Sequence, residues 1–187
     1  LVKMYLAGAF GSRPEDVNSY AASTFFAVDR FASYKTKWQS FLHSGGIIIS
    51  DRYTTSNMVH QAAKFDDSRE RDKFLEWLWH FEFVLLELPV PDAVFFLDMP
   101  PEYSRELLRE RDKKRAGDSS KKDIHERNEA YLHKCYYNAL YVAEKYNWHI
   151  INCVRDKKIL PINDIHQAIY CNLLEKVLSP ATWYLYI

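Results

Sequence analysis

Three uninterrupted apolar runs stand out along the chain, and long segments with helical periodicity separate them. The runs are GGIIISD at residues 45–51, AVFFLD at 93–98 and WHIINC at 148–153. Such runs are typical of strands covered on both faces, as in a parallel sheet flanked by helices. Strands that alternate with helices predict an α/β fold, although three strands are few for so much helix.

The predicted helices follow apolar positions spaced three and four residues apart. They are expected over residues 1–10, 12–42, 54–64, 69–86, 100–111, 123–146 and 165–178. The second half of the fourth helix, WLWHFEFVLL at 77–86, is apolar on nearly every side. A helix of this kind must be covered, which predicts a buried surface such as a homodimer interface.

Composition is ordinary for a soluble globular protein, with 48% hydrophobic and 27% charged residues. A single domain over residues 1–187 is the simplest expectation. The formal net charge is zero, which argues against nucleic acid or a membrane surface as partner, and no apolar stretch approaches the ~20 residues of a membrane span. The cysteines at 135, 153 and 171 lack metal-ligand spacing, so reduced thiols in a cytoplasmic protein are predicted.

Candidate chemistry follows the first predicted strand, where Asp51 and Arg52 occur in sequence. In an open α/β sheet, ligands bind outside the carboxyl ends of the strands. A carboxylate and a guanidinium placed there could handle a phosphate and its metal ion. The structural alternative is an Asp–Arg pair that only tethers a loop, and the dipeptide alone leaves both open.

A second candidate pair lies on the predicted helix over residues 12–42. Phe26 and Arg30 are four residues apart and therefore share one helix face. An aromatic ring beside a forked cation could stack on a planar base and hydrogen-bond to its edge. The alternative, favoured by these two residues alone, is that Phe26 is a core residue from which Arg30 extends to solvent.

A family resemblance connects these segments. DRYTTSNMVHQ at 51–61 resembles the signature of the thymidylate kinase family, an Asp-Arg-Tyr followed by Ser and then Gln, and STFFAVDR at 23–30 resembles its base-contacting helix. FLDMPPE (96–102), DIHERNEAY (123–131) and INCVRD (151–156) resemble the family's next strand, its lid-closing segment and its adenine-side loop. The resemblance covers essentially the whole chain, and the DRY…S…Q element with the upstream Phe and Arg is its most specific part.

The resemblance implies a P-loop NTPase-like fold, a parallel sheet sandwiched by helices. It also implies a cytoplasmic, ATP-dependent kinase that uses Mg²⁺ to phosphorylate thymidine monophosphate to the diphosphate, a step towards thymidine triphosphate. By the same resemblance, Phe26 would stack on thymine and Arg30 would bond its edge, while Ser56 and Gln61 would line the nucleoside pocket.

The remaining site assignments by resemblance concern the phosphates. Arg52 would grip the acceptor phosphate, and Asp51 would organise Mg²⁺ through water. Arg111 and Arg115 would supply positive charge from a lid over residues 110–122. Without the resemblance, a solvated basic loop accounts for that segment equally well.

Two departures from the family pattern affect these expectations. Ile124 follows Asp123, where the family has Arg, and the 187 residues contain no Gly-x-x-x-x-Gly-Lys-Ser/Thr loop for ATP phosphates. The expectation is that the numbering begins inside a longer protein, with roughly fifty residues upstream of Leu1, and that this chain alone is inactive. The alternatives are a non-catalytic relative that only binds nucleotide or dimerises, and a kinase for another deoxynucleoside or deoxynucleotide.

Overall fold

The computed structural model describes residues 1–114, 128–176 and 178. The chain forms two compact units: Leu1–Val90 with the described part of Ser120–Ala139, and the described parts of Pro91–Ser119 and Leu140–Ile187. The prediction of one domain stays a prediction. No helix in the described part of the chain combines the length and the apolar character that a membrane crossing needs.

The first unit is helical, and its helices form in the segments where the pattern predicts them, except that the helix expected over 12–42 begins only at Ser19, after extended backbone at Val17 and Asn18. They are α1 (Val2–Leu6), α2 (Ser19–Ser33), α3 (Gln39–His43), α4 (Thr54–His60) and α5 (Ser68–Trp79), with π-helical turns at Tyr34–Trp38 and His80–Leu85 and 3₁₀ turns at Pro14–Asp16 and Ala62–Lys64. Two of the starts have side-chain caps. The Asn18 side chain accepts the Ala21 N–H at 2.8 Å before α2, and the Asp67 carboxylate accepts two N–H groups at 2.9 Å before α5.

The first predicted strand is wrong. Ile47 and Ile49 are 67% and 88% exposed, and residues 46–50 form no strand. β-branched residues favour a strand only where a neighbour supplies hydrogen bonds and an apolar cover. All strands among the described residues belong to the second unit, so the isoleucine run has no strand beside it within its own unit.

The second unit contains a parallel sheet, which confirms the predicted α/β class. Among the described residues this sheet has two strands, β1 (Phe95–Asp98) and β2 (His149–Asn152), paired in parallel from Phe95↔His149 to Asp98↔Asn152. The helices are α6 (Pro101–Lys114), α7 (Glu129–Lys145), whose residues up to Ala139 belong to the first unit, and α8 (Ile162–Lys176). Residues 115–122 of the predicted lid and residues 123–127 lie outside the described residues.

A short hairpin replaces the loop expected after β2. It consists of β3 (Val154–Arg155) and β4 (Lys158–Ile159), paired antiparallel. The two turn residues, Asp156 and Lys157, have φ values of 51° and 58°. Two successive positive φ values are typical of type I′ hairpin turns, which usually carry Asn-Gly, and the sequence lacks that signal here.

The three cysteines are unpaired in the structure, and their reduced state in the cell stays a prediction. Cys135 and Cys153 are buried and Cys171 is exposed, and all three are free. Burial raises the pKa of the Cys135 thiol to about 12, and it also raises the pKa of Cys153. These two thiols therefore behave as small apolar core groups at neutral pH.

Candidate functional site

Polar contacts fix α4 against α2, the helix that carries Phe26 and Arg30. Ser19 Oγ donates to the carbonyl oxygen of Gln61 at 2.8 Å. Asn57 Nδ2 donates to the carbonyl oxygen of Ser23 at 3.4 Å. Ser19 and Ser23 are four residues apart, and so are Asn57 and Gln61, so the residues of each pair lie on one side of their helix. The two hydrogen bonds therefore connect the facing sides of α2 and α4 at two successive turns. These contacts tie α4, the helix that follows Asp51 and Arg52 in the chain, to α2.

Arg30 is largely, but not fully, buried, and it is paired. Its side chain is 12% exposed, and Nη1 donates to Glu82 Oε2. The guanidinium carbon lies 5.2 Å from the centroid of the Tyr53 ring, above the ring face. The expectation that Arg30 extends to solvent is therefore wrong. A guanidinium has five N–H donors, and among the described residues only Glu82 accepts one, so the others are available to a ligand.

Glu82 is a buried acid beside Arg30 that sequence reasoning missed. It lies in the π-helical turn after α5, and its side chain is fully buried. Besides Arg30, it accepts hydrogen bonds from Thr54 Oγ1 at 2.8 Å and Asn57 Nδ2 at 3.4 Å. A buried carboxylate is unfavourable unless it is paired and hydrogen-bonded. A lone acid inside the apolar run WLWHFEFVLL is the signal that could have revealed it.

Tyr53 connects the buried pair to the Asp-Arg-Tyr motif. Its ring lies under Arg30, and its hydroxyl donates to the carbonyl oxygen of Pro89 at 2.9 Å. Burial raises the pKa of Tyr53, against a smaller opposing effect of Arg30. The phenol is therefore a neutral donor that holds its ring in place, one residue after Arg52.

Arg52 has an unusual backbone conformation. Its φ is 72°, a left-handed conformation that disfavours any residue with a Cβ by about 1–2 kcal/mol. Ser50 Oγ donates to the Arg52 carbonyl oxygen at 2.6 Å and stabilises this turn. Asp51 and Arg52 are both exposed, and neither forms an ion pair with any described residue. The loop-tether alternative therefore finds no contact to support it.

Phe26 lies at the edge of a core cluster. It packs against Tyr5 and Ala22, and its ring meets the Tyr5 ring edge-on, with centroids 5.9 Å apart and an interplanar angle of 85°. It is half-buried. Phe26 is thus partly a core residue, as the structural alternative expected, and it keeps exposed ring surface one helical turn before Arg30.

Ser56 and Gln61 lie on different sides of α4. Ser56 is half-buried, and its hydroxyl has no hydrogen bond among the described residues. Gln61 is 1% exposed; its Nε2 is 3.5 Å from the Tyr5 hydroxyl, while its Oε1 is buried without a partner among the described residues. Lys64 closes this corner by donating to the Val17 carbonyl at 2.9 Å, and burial lowers the pKa of Lys64 to about 8.

The predicted lid arginines belong to another part of the chain. Arg111 is half-buried on α6 in the second unit, and Arg115 lies outside the described residues. Within the part of the chain that the structure describes, no group of three or more His, Cys, Asp or Glu residues could hold a metal ion. Asp51 therefore belongs to no cluster of three or more metal-ligating side chains among the described residues. This fits an ion that keeps most of its water and binds mainly to nucleotide phosphates.

The chain is similar to thymidylate kinase of Mycobacterium tuberculosis, with 34% identity over 107 residues that cover 56% of this chain and 49% of that protein. It is also similar to a probable thymidylate kinase of Pyrobaculum aerophilum, with 30% identity over 95 residues that cover 51% and 44%. The match thus spans about half the length of these curated relatives. Residues 6–169 match the sequence model of the family described as thymidylate kinase, and the chain belongs to the thymidylate kinase family.

Proposed function

We propose that this chain carries the acceptor side of a nucleoside monophosphate kinase that transfers a phosphoryl group from ATP to thymidine monophosphate, giving ADP and thymidine diphosphate. The observation that carries the proposal is the placement of two cations around Tyr53. Arg30 lies on the Tyr53 ring with N–H donors to spare, and Arg52 immediately precedes that ring, exposed and unpaired among the described residues. Arg30 is suited to bind the edge of the base, and Arg52 is suited to bind the phosphate.

The proposed roles follow from the donor chemistry. Phe26 supports the thymine ring by stacking, and Arg30 donates to a thymine carbonyl oxygen. Arg52 binds the acceptor phosphate with two parallel hydrogen bonds, because a guanidinium matches two phosphate oxygens. Ser56 and Gln61 line the nucleoside pocket, and the unpartnered Gln61 oxygen is an acceptor suited to a hydroxyl or imide N–H.

The donor side of the reaction rests on family membership. ATP is the proposed co-substrate, and Mg²⁺ supplies charge neutralisation on its phosphates when bound. Asp51 would hold water of that ion, and Arg111 and Arg115 would add positive charge to the transferring phosphoryl group, as the family resemblance implies. Since phosphoryl transfer depends on positioning and electrostatics, these residues need only hold charge and orientation. The proposed location is the cytoplasm.

A coupled assay of ADP release across the four deoxynucleoside monophosphates tests the proposal on the full protein. We expect rapid ADP release with thymidine monophosphate and slow release with the other three. Faster ADP release with a different monophosphate would mean that this monophosphate, and not thymidine monophosphate, is the acceptor. Binding of thymidine monophosphate without ADP release would identify a non-catalytic relative and would overturn the proposed reaction.

We also propose that the protein forms a homodimer through the helix that runs from α5 into the π-helical turn. Trp79, Val84 and Leu85 on this segment are 37%, 54% and 64% exposed. Burial of such neighbouring apolar side chains against a second copy would remove them from water. Sedimentation velocity at micromolar concentration should give the mass of two chains, and a single-chain mass would refute the dimer.

A further inference from the structure

Glu82 is held in place by α4 independently of Arg30. Thr54 Oγ1 donates to its Oε2 at 2.8 Å, and Asn57 Nδ2 approaches its Oε1 at 3.4 Å. Thr54 is fully buried and Asn57 is 3% exposed. Because two donors from one helix take both carboxylate oxygens, the carboxylate cannot rotate freely, and its position is defined by the start of α4.

The fixed carboxylate limits how Arg30 can orient. One N–H of Nη1 points to Glu82, and the guanidinium carbon lies over the Tyr53 ring. A guanidinium group is planar. When one of its N–H groups is hydrogen-bonded and one of its faces is covered by an aromatic ring, its remaining N–H groups keep fixed directions. Glu82 and Tyr53 together therefore decide which way the free donors of Arg30 point.

The position of Glu82 depends on an uncommon backbone. His80–Leu85 is a π-helical turn, and such turns are rare and occur frequently at functional sites. The turn also leaves Val84 and Leu85 exposed while Glu82 is fully buried. An apolar side chain at this position would bury as well without needing three donors, so packing alone does not account for an acid here.

Fixed donors discriminate between bases. A guanidinium only donates hydrogen bonds, so it suits a base edge that presents a carbonyl oxygen, as thymine does. Cytosine presents an amino group at the same place, and two donors facing each other leave both buried groups unsatisfied. A mobile guanidinium could turn away from the amino group, whereas a fixed one cannot.

We propose that Glu82 is a positioning residue that fixes the orientation of Arg30 and thereby sets the preference for thymidine monophosphate over deoxycytidine monophosphate. This inference rests on the proposed function. It assigns to Glu82 a role in substrate choice, in addition to any role in holding the fold together.

The test is the Glu82→Gln variant of the full protein, assayed with both monophosphates. Glutamine keeps the size and one acceptor oxygen for Thr54 but removes the charge that holds Arg30. We expect the ratio of kcat/KM values, thymidine over deoxycytidine monophosphate, to fall about tenfold, within the range for one lost base-reading contact. Most of the change should come from a better KM for deoxycytidine monophosphate and a worse KM for thymidine monophosphate, with kcat less affected.

Thr54→Val is the graded comparison, because it removes one of the two α4 donors that hold Glu82 and leaves the contact with Arg30. It should lower the ratio less than Glu82→Gln does. A purely structural Glu82 predicts that both variants lose heat resistance and neither changes the ratio. If Glu82→Gln does not fold, Glu82→Asp replaces it, since the shorter acid withdraws from Arg30 and should lower the ratio as well. An unchanged ratio in a folded, active Glu82 variant overturns the inference alone. A wild-type protein that binds neither monophosphate overturns the proposed function, and the inference with it.

Discussion

Replacing Arg52 by alanine is expected to weaken the binding of thymidine monophosphate by about 100-fold. Hydrogen bonds to charged groups contribute about 1.5–3 kcal/mol each, and about 2.7 kcal/mol corresponds to 100-fold in affinity. Alanine also has a Cβ, so the unfavourable φ of 72° at this position is shared by the variant. The change therefore removes the guanidinium without altering the preference of the backbone. Titration calorimetry with the monophosphate measures the effect.

Two further variants distinguish the effect of the Arg52 guanidinium group on binding from the effect of positive charge in general. Arg69 is an exposed arginine in the first turn of α5, without a side-chain partner among the described residues, so Arg69→Ala should leave the affinity within about twofold. Arg52→Lys keeps the charge and loses the fork, and should recover only part of the affinity. If Arg52→Ala binds the monophosphate as tightly as Arg69→Ala does, the assignment of Arg52 to the acceptor phosphate is wrong.

The helices could be predicted from the sequence because their determinants are local. Asn18 and Asp67 cap α2 and α5 through hydrogen bonds to residues at most three positions away. The apolar residues spaced three and four apart then indicate how far each helix extends. Strands depend on distant partners. The runs at 93–98 and 148–153 are strands because they pair with each other. The equally apolar run at residues 47–49 is not a strand, because no described residue of its own unit pairs with it.

The candidate site shows the same limit. Asp51 and Arg52 were found because they follow an apolar run, and Phe26 and Arg30 because they are four residues apart. The family resemblance, which also depends on short segments of sequence, then gave them roles. Glu82 was not found, because its partner Arg30 lies 52 positions away, and no periodicity relates positions that far apart. An acid inside an apolar helix indicates that a buried cation or donor exists somewhere. Only the fold identifies that cation as Arg30.

Replacing Arg30 by methionine should lower the free energy of unfolding by about 3–5 kcal/mol. Removal of one partner from a buried ion pair leaves the other charge without compensation, and such changes have effects of this size. Glu82 is fully buried, and the Arg30 side chain is 12% exposed, so little water can replace the guanidinium. Methionine fills much of the space of the arginine chain, which keeps the loss of packing small. Urea denaturation monitored by circular dichroism gives the change.

A double variant, Arg30→Met with Glu82→Gln, determines whether the uncompensated charge causes that loss. Glutamine is neutral and keeps an acceptor oxygen for Thr54, so the double variant should regain at least half of the stability lost in Arg30→Met. Equal instability of the single and double variants would mean that the packing of Arg30 on Tyr53 matters more than its charge. The double variant should still bind thymidine monophosphate weakly, because it lacks the donors of Arg30. Stability restored without affinity is the combined result that assigns Arg30 both to the buried pair and to the base.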